Sequence, residues 1–228
     1  YFCPTTKPIN MRVLLFPFAA ILLFTLTFGA CKSSSGPATF CDTACLKDTI
    51  KFVKEDHPYK PYVYISADNC MADTITWSSI DMGINRKLGI VDMLGAPVTL
   101  DKNKVGCFIK DTSYAWLYFN DCNNGRGFQL KIPYNKKDNI GRKSSGLNSF
   151  DPKFSVAEGL LAYSDRGNLF VEDMATGKTA MMTFGARVEI DYSKIHEKID
   201  SINVTPTRLW AKVLMDKEWK VFEKAIEL

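Results

Sequence analysis

Short runs of aromatic and β-branched residues, separated by Asn, Asp and Gly, recur along the chain from Asp48 onward. Runs of this kind, bounded by turn formers, are typical of strands in antiparallel sheets. Only the segment from Asp191 to Asp200 departs from the pattern: an Asp or a Ser can cap a short helix there, with Ile195 and Ile199 on one face. The sequence therefore predicts an all-β domain of antiparallel meanders with one short helix.

A strand that ends in an acidic turn recurs four times, at intervals of 53, 44 and 51 residues. The aspartates that mark these turns are Asp68, Asp121, Asp165 and Asp216. Repeats of this size hold about four strands each, and such a meander must stack on its neighbours to bury both faces. We therefore expect either a small propeller-like array or a β-sandwich, in which hairpins with acidic turns occur at similar spacing without a true repeat.

The third unit has the clearest pattern: residues 154–185 read FSVAEGLLAYSDRGNLFVEDMATGKTAMMTFG. An apolar strand ends in Asp165, a Gly turn and a second strand follow, and a Thr-Gly-Lys turn comes next. This order resembles a blade of the TolB-like propeller proteins. The resemblance covers about a seventh of the chain, and it implies a propeller-like architecture but no functional residue.

The segment that begins at Met11 has the layout of a secretory signal peptide: a basic residue, a largely apolar run at 13–28, and then two small residues. As a helix, that apolar run would be about 24 Å long, shorter than the roughly 30 Å hydrocarbon core of a bilayer. A permanent transmembrane helix is therefore the less favoured interpretation. We assign residues 11–30 to the signal peptide and take residues 1–10, which precede the first methionine, as upstream residues outside the protein.

The tetrapeptide Phe28-Gly29-Ala30-Cys31 closes this segment and resembles the lipobox of bacterial lipoproteins. The resemblance implies that Cys31 is acylated, for example with palmitate, and becomes the first residue of a protein that several acyl chains hold in the membrane. Ordinary secretory cleavage, with Cys31 left as a free thiol, is the alternative.

The residues after Cys31 are polar and suit a flexible tether, which we place at 31–40, before a single all-β domain at 41–228. Lys32, rather than Asp, stands beside the modified cysteine, and by the same resemblance this implies the outer membrane. No acidic cluster of the kind that accompanies surface display occurs at 32–36, so we expect a lipid anchor on the periplasmic face.

Five cysteines follow Cys31, and disulfides are expected in an oxidising compartment. The sequence does not separate the possible pairings. The candidates are Cys41, Cys45, Cys70 and Cys122: the first two are four residues apart, which suits a local clip or one helix face, and the last two occupy equivalent places in the repeat. No metal site and no cofactor are expected, because the CxxxC pair has no second close pair and the chain has only two histidines.

A long polar segment, Asn135 to Asn148, is expected to be an exposed loop. Its cations could bind phosphate head groups or acidic glycans, although a solvated loop is the plainer interpretation. The candidate binding residues in this loop are Lys136, Lys137, Arg142 and Lys143.

The acidic turns supply a second set of candidates. If the repeat is real, their carboxylates lie on one rim and could bind a sugar or a cation, or form the paired acids of a glycan-directed hydrolase. The candidates are Asp68, Asp121 and Asp165, and the alternative is that each aspartate serves only its own turn. Aromatic residues that alternate along strands, such as Tyr114, could stack on sugar rings or pack in the core.

Charge and motif content narrow the function further. A formal net charge of +4 is too mild to indicate a nucleic-acid partner. No GxSxG motif is present, nothing in the sequence converges on His57 or His196, and we assign no catalytic residue. We expect a lipid-anchored envelope protein that acts as a binding or assembly module, with an envelope protein or a glycan as partner. The alternative is the hydrolase.

Overall fold

The computed structural model describes residues 40, 41 and 45–228, all within one compact unit that spans 39–228. Strands make up 49% of the structure and helices 9%, so the prediction of an all-β fold is confirmed. The upstream residues, the signal peptide, the lipidation site at Cys31 and nearly all of the tether lie outside the described residues. Within the described part of the chain, no helix is long and apolar enough to cross a membrane.

The first sheet is a meander of four strands in chain order. Its strands are β1 (Ile50–Val53), β2 (Tyr62–Asp68), β3 (Met71–Ser78) and β4 (Arg86–Gly89). Strand β4 runs directly into α1 (Ile90–Leu94), a helix that the sequence pattern did not predict. Gly95 ends this helix with a φ of 78°, the left-handed conformation that glycine adopts without strain.

The second sheet has seven strands in the spatial order β12-β11-β10-β8-β7-β6-β5 and is curled like half of a barrel. Its strands are β5 (Val105–Lys110), β6 (Tyr114–Asn120), β7 (Gly127–Pro133), β8 (Gly141–Gly146), β10 (Leu160–Asp165), β11 (Asn168–Asp173) and β12 (Thr179–Met182). The expectation of one long loop at 135–148 is wrong in its second half, because that half pairs with β7 as strand β8.

The third sheet has the order β15-β14-β13-β9, and its β13–β9 pair is parallel. Its strands are β9 (Phe154–Val156), β13 (Ile199–Thr205), β14 (Arg208–Met215) and β15 (Glu218–Ala225). A short 3-10 helix, Tyr192–Glu197, precedes β13 where the sequence predicts a helix. Asp191 caps it, because its Oδ1 accepts a hydrogen bond from the Ser193 amide at 2.9 Å.

Two hydrophobic cores lie on the same face of the seven-stranded sheet. The first core joins the β5, β6 and β7 end to the first sheet, through residues such as Leu117, Leu130 and Trp77. The second core joins the β10, β11 and β12 end to the third sheet, through residues such as Val171 and Val213. The opposite face of the seven-stranded sheet, which we call the outer face, carries a smaller buried cluster of Trp116, Leu161 and Met174 beside other aromatic and charged side chains.

The four predicted units do not form four separate sheets, because the second and the third share the seven-stranded sheet. The segment 154–185 is divided in the same way. Strands β10, β11 and β12 form a meander, whereas β9 pairs with β13 in the third sheet. Backbone pairing between units, which the turn spacing does not report, decides this arrangement.

All four candidate cysteines form disulfides, Cys41–Cys122 and Cys45–Cys70, which close separations of 81 and 25 residues. The spacing of Cys41 and Cys45 suggested a local clip, but each of them is joined to the end of a strand far along the chain. Cys107 is the one free cysteine among the described residues, and burial raises the pKa of its thiol.

Candidate ligand-binding site

The acidic turns do not form an exposed rim. Asp121 is only 6% exposed, and its Oδ1 accepts hydrogen bonds from the Thr99 and Asn123 amides, both at 3.2 Å. Asp68 and Asp165 are exposed at the ends of β2 and β10, which belong to different sheets. Asp121 therefore holds both its own turn, through Asn123, and the distant Thr99 segment, and its buried carboxylate does not share an exposed surface with the other two.

The four basic candidates do not form one patch either. Lys136 and Lys137 are exposed in the loop before β8, where the Asn135 side chain accepts a hydrogen bond from the Lys137 amide. Arg142 and Lys143 are neighbours on β8, so their side chains leave opposite faces of the sheet. Arg142 donates to the Met93 carbonyl, which belongs to the first core, whereas Lys143 lies on the outer face.

The outer face carries a lysine–aromatic cluster, which consists of Trp116, Lys131, Lys143, Tyr163 and Glu172. The Glu172 carboxylate is buried between two ammonium groups, with Lys143 Nζ at 3.0 Å and Lys131 Nζ at 3.9 Å. Lys143 Nζ also lies 3.3 Å from the centre of the Tyr163 ring. Because Glu172 and the rings share these cations, Lys143 is committed within the protein and is not a free anchor for phosphate.

Trp116 forms the buried base of this cluster. It is 2% exposed, packs with Leu161 and Met174, and its Nε1 has no hydrogen-bond partner among the described residues. A buried donor without a partner costs free energy, so this position is a weak point of the packing or a place for an external acceptor.

Next to the cluster, the seven-stranded sheet opens into a slit between β7 and β10. Strand β8, which should separate them, pairs with β10 at only one position, Gly146 with Tyr163. Gln129 of β7 spans the slit: its Nε2 donates to the Ala162 carbonyl of β10 at 2.8 Å and to Asn148 Oδ1 at 2.9 Å. The Leu147 amide, just after β8, also donates to the Ala162 carbonyl at 2.8 Å, so the Gln129 side chain adds a second hydrogen bond to this backbone contact.

The side-chain amide of Asn148, which accepts from Gln129, is itself held in one orientation. Its Nδ2 donates to the Phe119 carbonyl at 2.9 Å and to Asn120 Oδ1 at 3.0 Å, so its orientation leaves Oδ1 for Gln129. Gln129 is fully buried, and both of its hydrogen bonds use the amide nitrogen. Its Oε1 has no donor within the part of the chain that the structure describes. The network therefore presents one fixed, unsatisfied acceptor.

A cavity of about 230 Å³ lies at this slit. Phe108 and Met174 supply apolar lining, and Gln129, Tyr118 and Glu158 supply polar lining. The remaining lining residues are Cys107, Leu147, Asn148, Ser149, Val156, Ala157, Gly159, Leu160, Leu161 and Ala162. Burial raises the pKa of the Tyr118 phenol, and Cys107 and Glu158 raise it further, so this hydroxyl stays protonated and can donate.

The size and lining of the cavity limit what it can hold. An engineered apolar cavity of about 150 Å³ accommodates benzene, whereas pockets for drug-sized ligands span roughly 300 to 1,000 Å³. A cavity of 230 Å³ therefore suits one ring with several substituents. The Gln129 acceptor and the Tyr118 hydroxyl favour a ligand with hydroxyl groups, and the Phe108 ring favours one with an apolar face.

Three aspartates have a pKa that is lowered from its ordinary value. A hydrogen bond from Lys54 lowers the pKa of Asp111, backbone donors led by Thr176 lower the pKa of Asp173, and Lys153 lowers the pKa of Asp200. A glycosidase acid needs a raised pKa. None of these three aspartates lines the cavity.

His196 forms a pair with a buried carboxylate, which the sequence did not predict. Its Nε2 lies 2.7 Å from Asp151 Oδ2, and its Nδ1 lies 3.2 Å from the Ile199 carbonyl. The ring also lies beside Phe154, with centroids 5.1 Å apart. Both nitrogens are occupied by these contacts, so the histidine holds the 3-10 helix against the β9 region. No group of three or more His, Cys, Asp or Glu in the described residues is arranged to bind a metal ion.

Sequence reasoning missed Gln129 and Glu158, whereas Tyr118 belongs to the alternating aromatic residues of β6 that could stack on a sugar ring. Gln129 stands between Phe128 and Leu130 in an apolar strand, and this placement is the only signal that it carries. Neither a protein-family model nor a curated protein matches the chain.

Proposed function

We propose that the protein is a lipid-anchored envelope module that binds a saccharide unit in the cavity between β7 and β10. One observation carries this proposal: Gln129 lines the cavity, its amide nitrogen is held by two hydrogen bonds, and its buried Oε1 has no donor in the described chain. A ligand hydroxyl would supply the missing hydrogen bond.

The location is supported by chemistry rather than by direct observation. Two disulfides suit an oxidising compartment, which agrees with export through the signal peptide. The lipobox-like segment would then place the acylated Cys31 in the outer membrane, with the domain on its periplasmic face. A saccharide is a ligand class that such an envelope offers.

A saccharide fits the cavity better than a charged ligand does. A sugar ring has an apolar face of C–H groups, for which Phe108 is a suitable neighbour, and hydroxyl groups that can donate to Gln129 and pair with Tyr118. Among the residues that the structure describes, no lysine or arginine lines the cavity, so an anionic head group would find no counter-charge from them.

Tryptophan fluorescence tests this function, because Trp116 packs against the Phe108 that lines the cavity. The probes are glucose, N-acetylglucosamine and their β-1,4-linked dimers, titrated to millimolar concentration. We expect a saturable change with at least one probe. Tyr118→Phe removes one hydroxyl and should weaken binding about three- to tenfold, since a hydrogen bond contributes about 0.5 to 1.5 kcal/mol.

The matched control is Tyr163→Phe, which removes a hydroxyl from the same face of the sheet outside the cavity and should leave the affinity unchanged. Ala157→Phe should abolish the response, because the new ring fills the cavity. A response that survives Ala157→Phe, or no response to any probe, would contradict the proposed function.

A further inference from the structure

Strand β15 is the most exposed strand of the third sheet. It pairs with β14 on one side and has no strand partner on the other side within residues 45–228. All of its residues are exposed except Phe222, and they include two large apolar side chains, Trp219 at 44% and Val221 at 58%. An exposed edge of this length offers its unpaired backbone groups to another strand.

The backbone of β15 is suited to antiparallel pairing. In an antiparallel ladder, every second residue directs its N–H and C=O toward the same neighbour, so alternate residues of β15 direct theirs to the open edge. Trp219 and Val221 lie on one face of the sheet together with Trp210 and Lys212 of β14, whereas Phe222 packs against the second core. A partner strand must therefore keep this arrangement of faces.

A second copy of the chain meets that requirement. When two copies of β15 pair about a two-fold axis perpendicular to the sheet, the axis must pass through a residue, because only then do opposed side chains share a face. An axis through Lys220 sets Lys220 against Lys220, and an axis through Phe222 sets Lys220 against Lys224 twice. An axis through Glu223 opposes two glutamates. Each of these arrangements places like charges opposite each other, which is destabilising.

The axis through Val221 avoids every such pair. It sets Glu218 opposite Lys224 twice, Trp219 opposite Glu223 twice and Val221 opposite itself, with Lys220 facing Phe222. An axis through Trp219 would also avoid like charges, but it would pair only residues 218 to 220 within the strand. The charge pattern of β15 thus selects one register that pairs seven residues, 218 to 224.

We propose that β15 pairs with β15 of a second copy, antiparallel and centred on Val221, so that two four-stranded sheets become one sheet of eight strands. The exposed Trp219 and Val221 side chains then cover one another across the axis. Lys224 donates to the Met181 carbonyl at 2.8 Å, and its ammonium group has donors left for the partner's Glu218. The contact is isologous, so it closes as a dimer and does not propagate.

Cysteine crosslinking tests the register directly. In the intact chain, Val221→Cys places two thiols opposite each other, within the roughly 4.4 to 6.8 Å between Cα atoms that a disulfide requires. The matched control is Ala225→Cys, on the same strand and equally exposed. Its two copies would be eight residues apart along the ladder, or about 26 Å. We expect a reducible dimer on mild oxidation for Val221→Cys and no more than the wild-type background for Ala225→Cys.

A charge exchange tests the pairing without new cysteines. Glu218→Lys sets a lysine at position 218 of each copy opposite Lys224 of the other copy, so that like charges face each other at both ends of the ladder. The dimer dissociation constant, measured by sedimentation equilibrium, should rise about tenfold or more. Adding Lys224→Glu restores opposite charges and should restore the dimer. The proposal is overturned by a monomeric wild-type chain, by equal crosslinking of the two cysteine variants, or by a dimer whose affinity Glu218→Lys does not change. None of these outcomes depends on saccharide binding.

Discussion

Replacing Gln129 should separate the stability of the slit from its binding capacity. In Gln129→Leu, two hydrogen bonds are lost, to the Ala162 carbonyl and to Asn148 Oδ1. Each contributes about 1 kcal/mol. The same substitution removes the unpaired Oε1, whose burial already costs about 1 to 3 kcal/mol in the native protein. The substitution also leaves the buried Asn148 Oδ1 without its donor, which costs about 1 to 3 kcal/mol and offsets the relief from removing Oε1. We therefore expect the free energy of unfolding to fall by about 2 kcal/mol, the contribution of the two lost hydrogen bonds.

Asn148→Leu is the comparison that makes this test sharp. Asn148 makes three hydrogen bonds, through Nδ2 to Phe119 and Asn120 and through Oδ1 from Gln129. At about 1 kcal/mol each, their loss should cost about 3 kcal/mol. The buried Asn120 Oδ1 is also left without its donor, which adds about 1 to 3 kcal/mol with no compensating gain. Urea unfolding of both variants measures the difference, with unchanged m-values as the sign that only stability has moved.

The relative stabilities of Gln129→Leu and Asn148→Leu test whether Gln129 Oε1 lacks a partner in the native protein. If Gln129→Leu destabilised the protein as much as Asn148→Leu, the amide oxygen would have a partner in the native state, and the reasoning about the slit would be refuted. If instead Gln129→Leu folds normally and no longer binds the saccharide probe, Gln129 is needed for binding rather than for folding.

Three further outcomes follow from the disulfides, the turn charges and the lipobox. The double variant Cys45→Ala/Cys70→Ala opens a 25-residue loop and should lose about 3.5 kcal/mol in urea unfolding, whereas equal stability would contradict a native bridge. The pKa of Asp173 is lowered from 3.8, so its ionised carboxylate stabilises the fold above pH 3.8, and this contribution is lost as the pH falls through the lower native pKa. Asp173→Asn should therefore lose less of its unfolding free energy on acidification than the wild-type protein does. Metabolic labelling with an alkyne fatty acid should mark the protein and not Cys31→Ala, and label retained in that variant would remove the proposed anchor.

The all-β fold was predictable because local signals suffice for it. Residues such as Val63 and Ile65 alternate with half-buried tyrosines along β2, and the turns carry Asn, Asp and Gly. Strand β8 was not predictable in this way: its sequence, GRKSSG, has the composition of a loop. It is a strand because the preceding strand β7 supplies its backbone partners and Glu172, 29 residues away, supplies a partner for Lys143.

The candidate site was missed for a related reason. The prediction emphasised charged residues and turn aspartates, because those carry recognisable chemistry. Asp121 proved to be a turn residue, and Lys143 proved to be held by Glu172. Gln129 can reach β10 because β8 and β10 pair at a single register position. This pairing depends on residues far apart in the sequence, so a short sequence window does not predict it.

The side-chain amide of Gln129 provides the most direct test of saccharide binding in the slit. In two-dimensional ¹H–¹⁵N NMR spectra, its Nε2 protons report on the atom beside the unpaired Oε1, and the exposed Asn135 amide serves as an internal reference. We predict that N-acetylglucosamine shifts the Gln129 signals saturably and leaves those of Asn135 in place. If the probe binds the protein while the Gln129 signals stay unchanged, the ligand lies elsewhere and the assignment of this site is wrong.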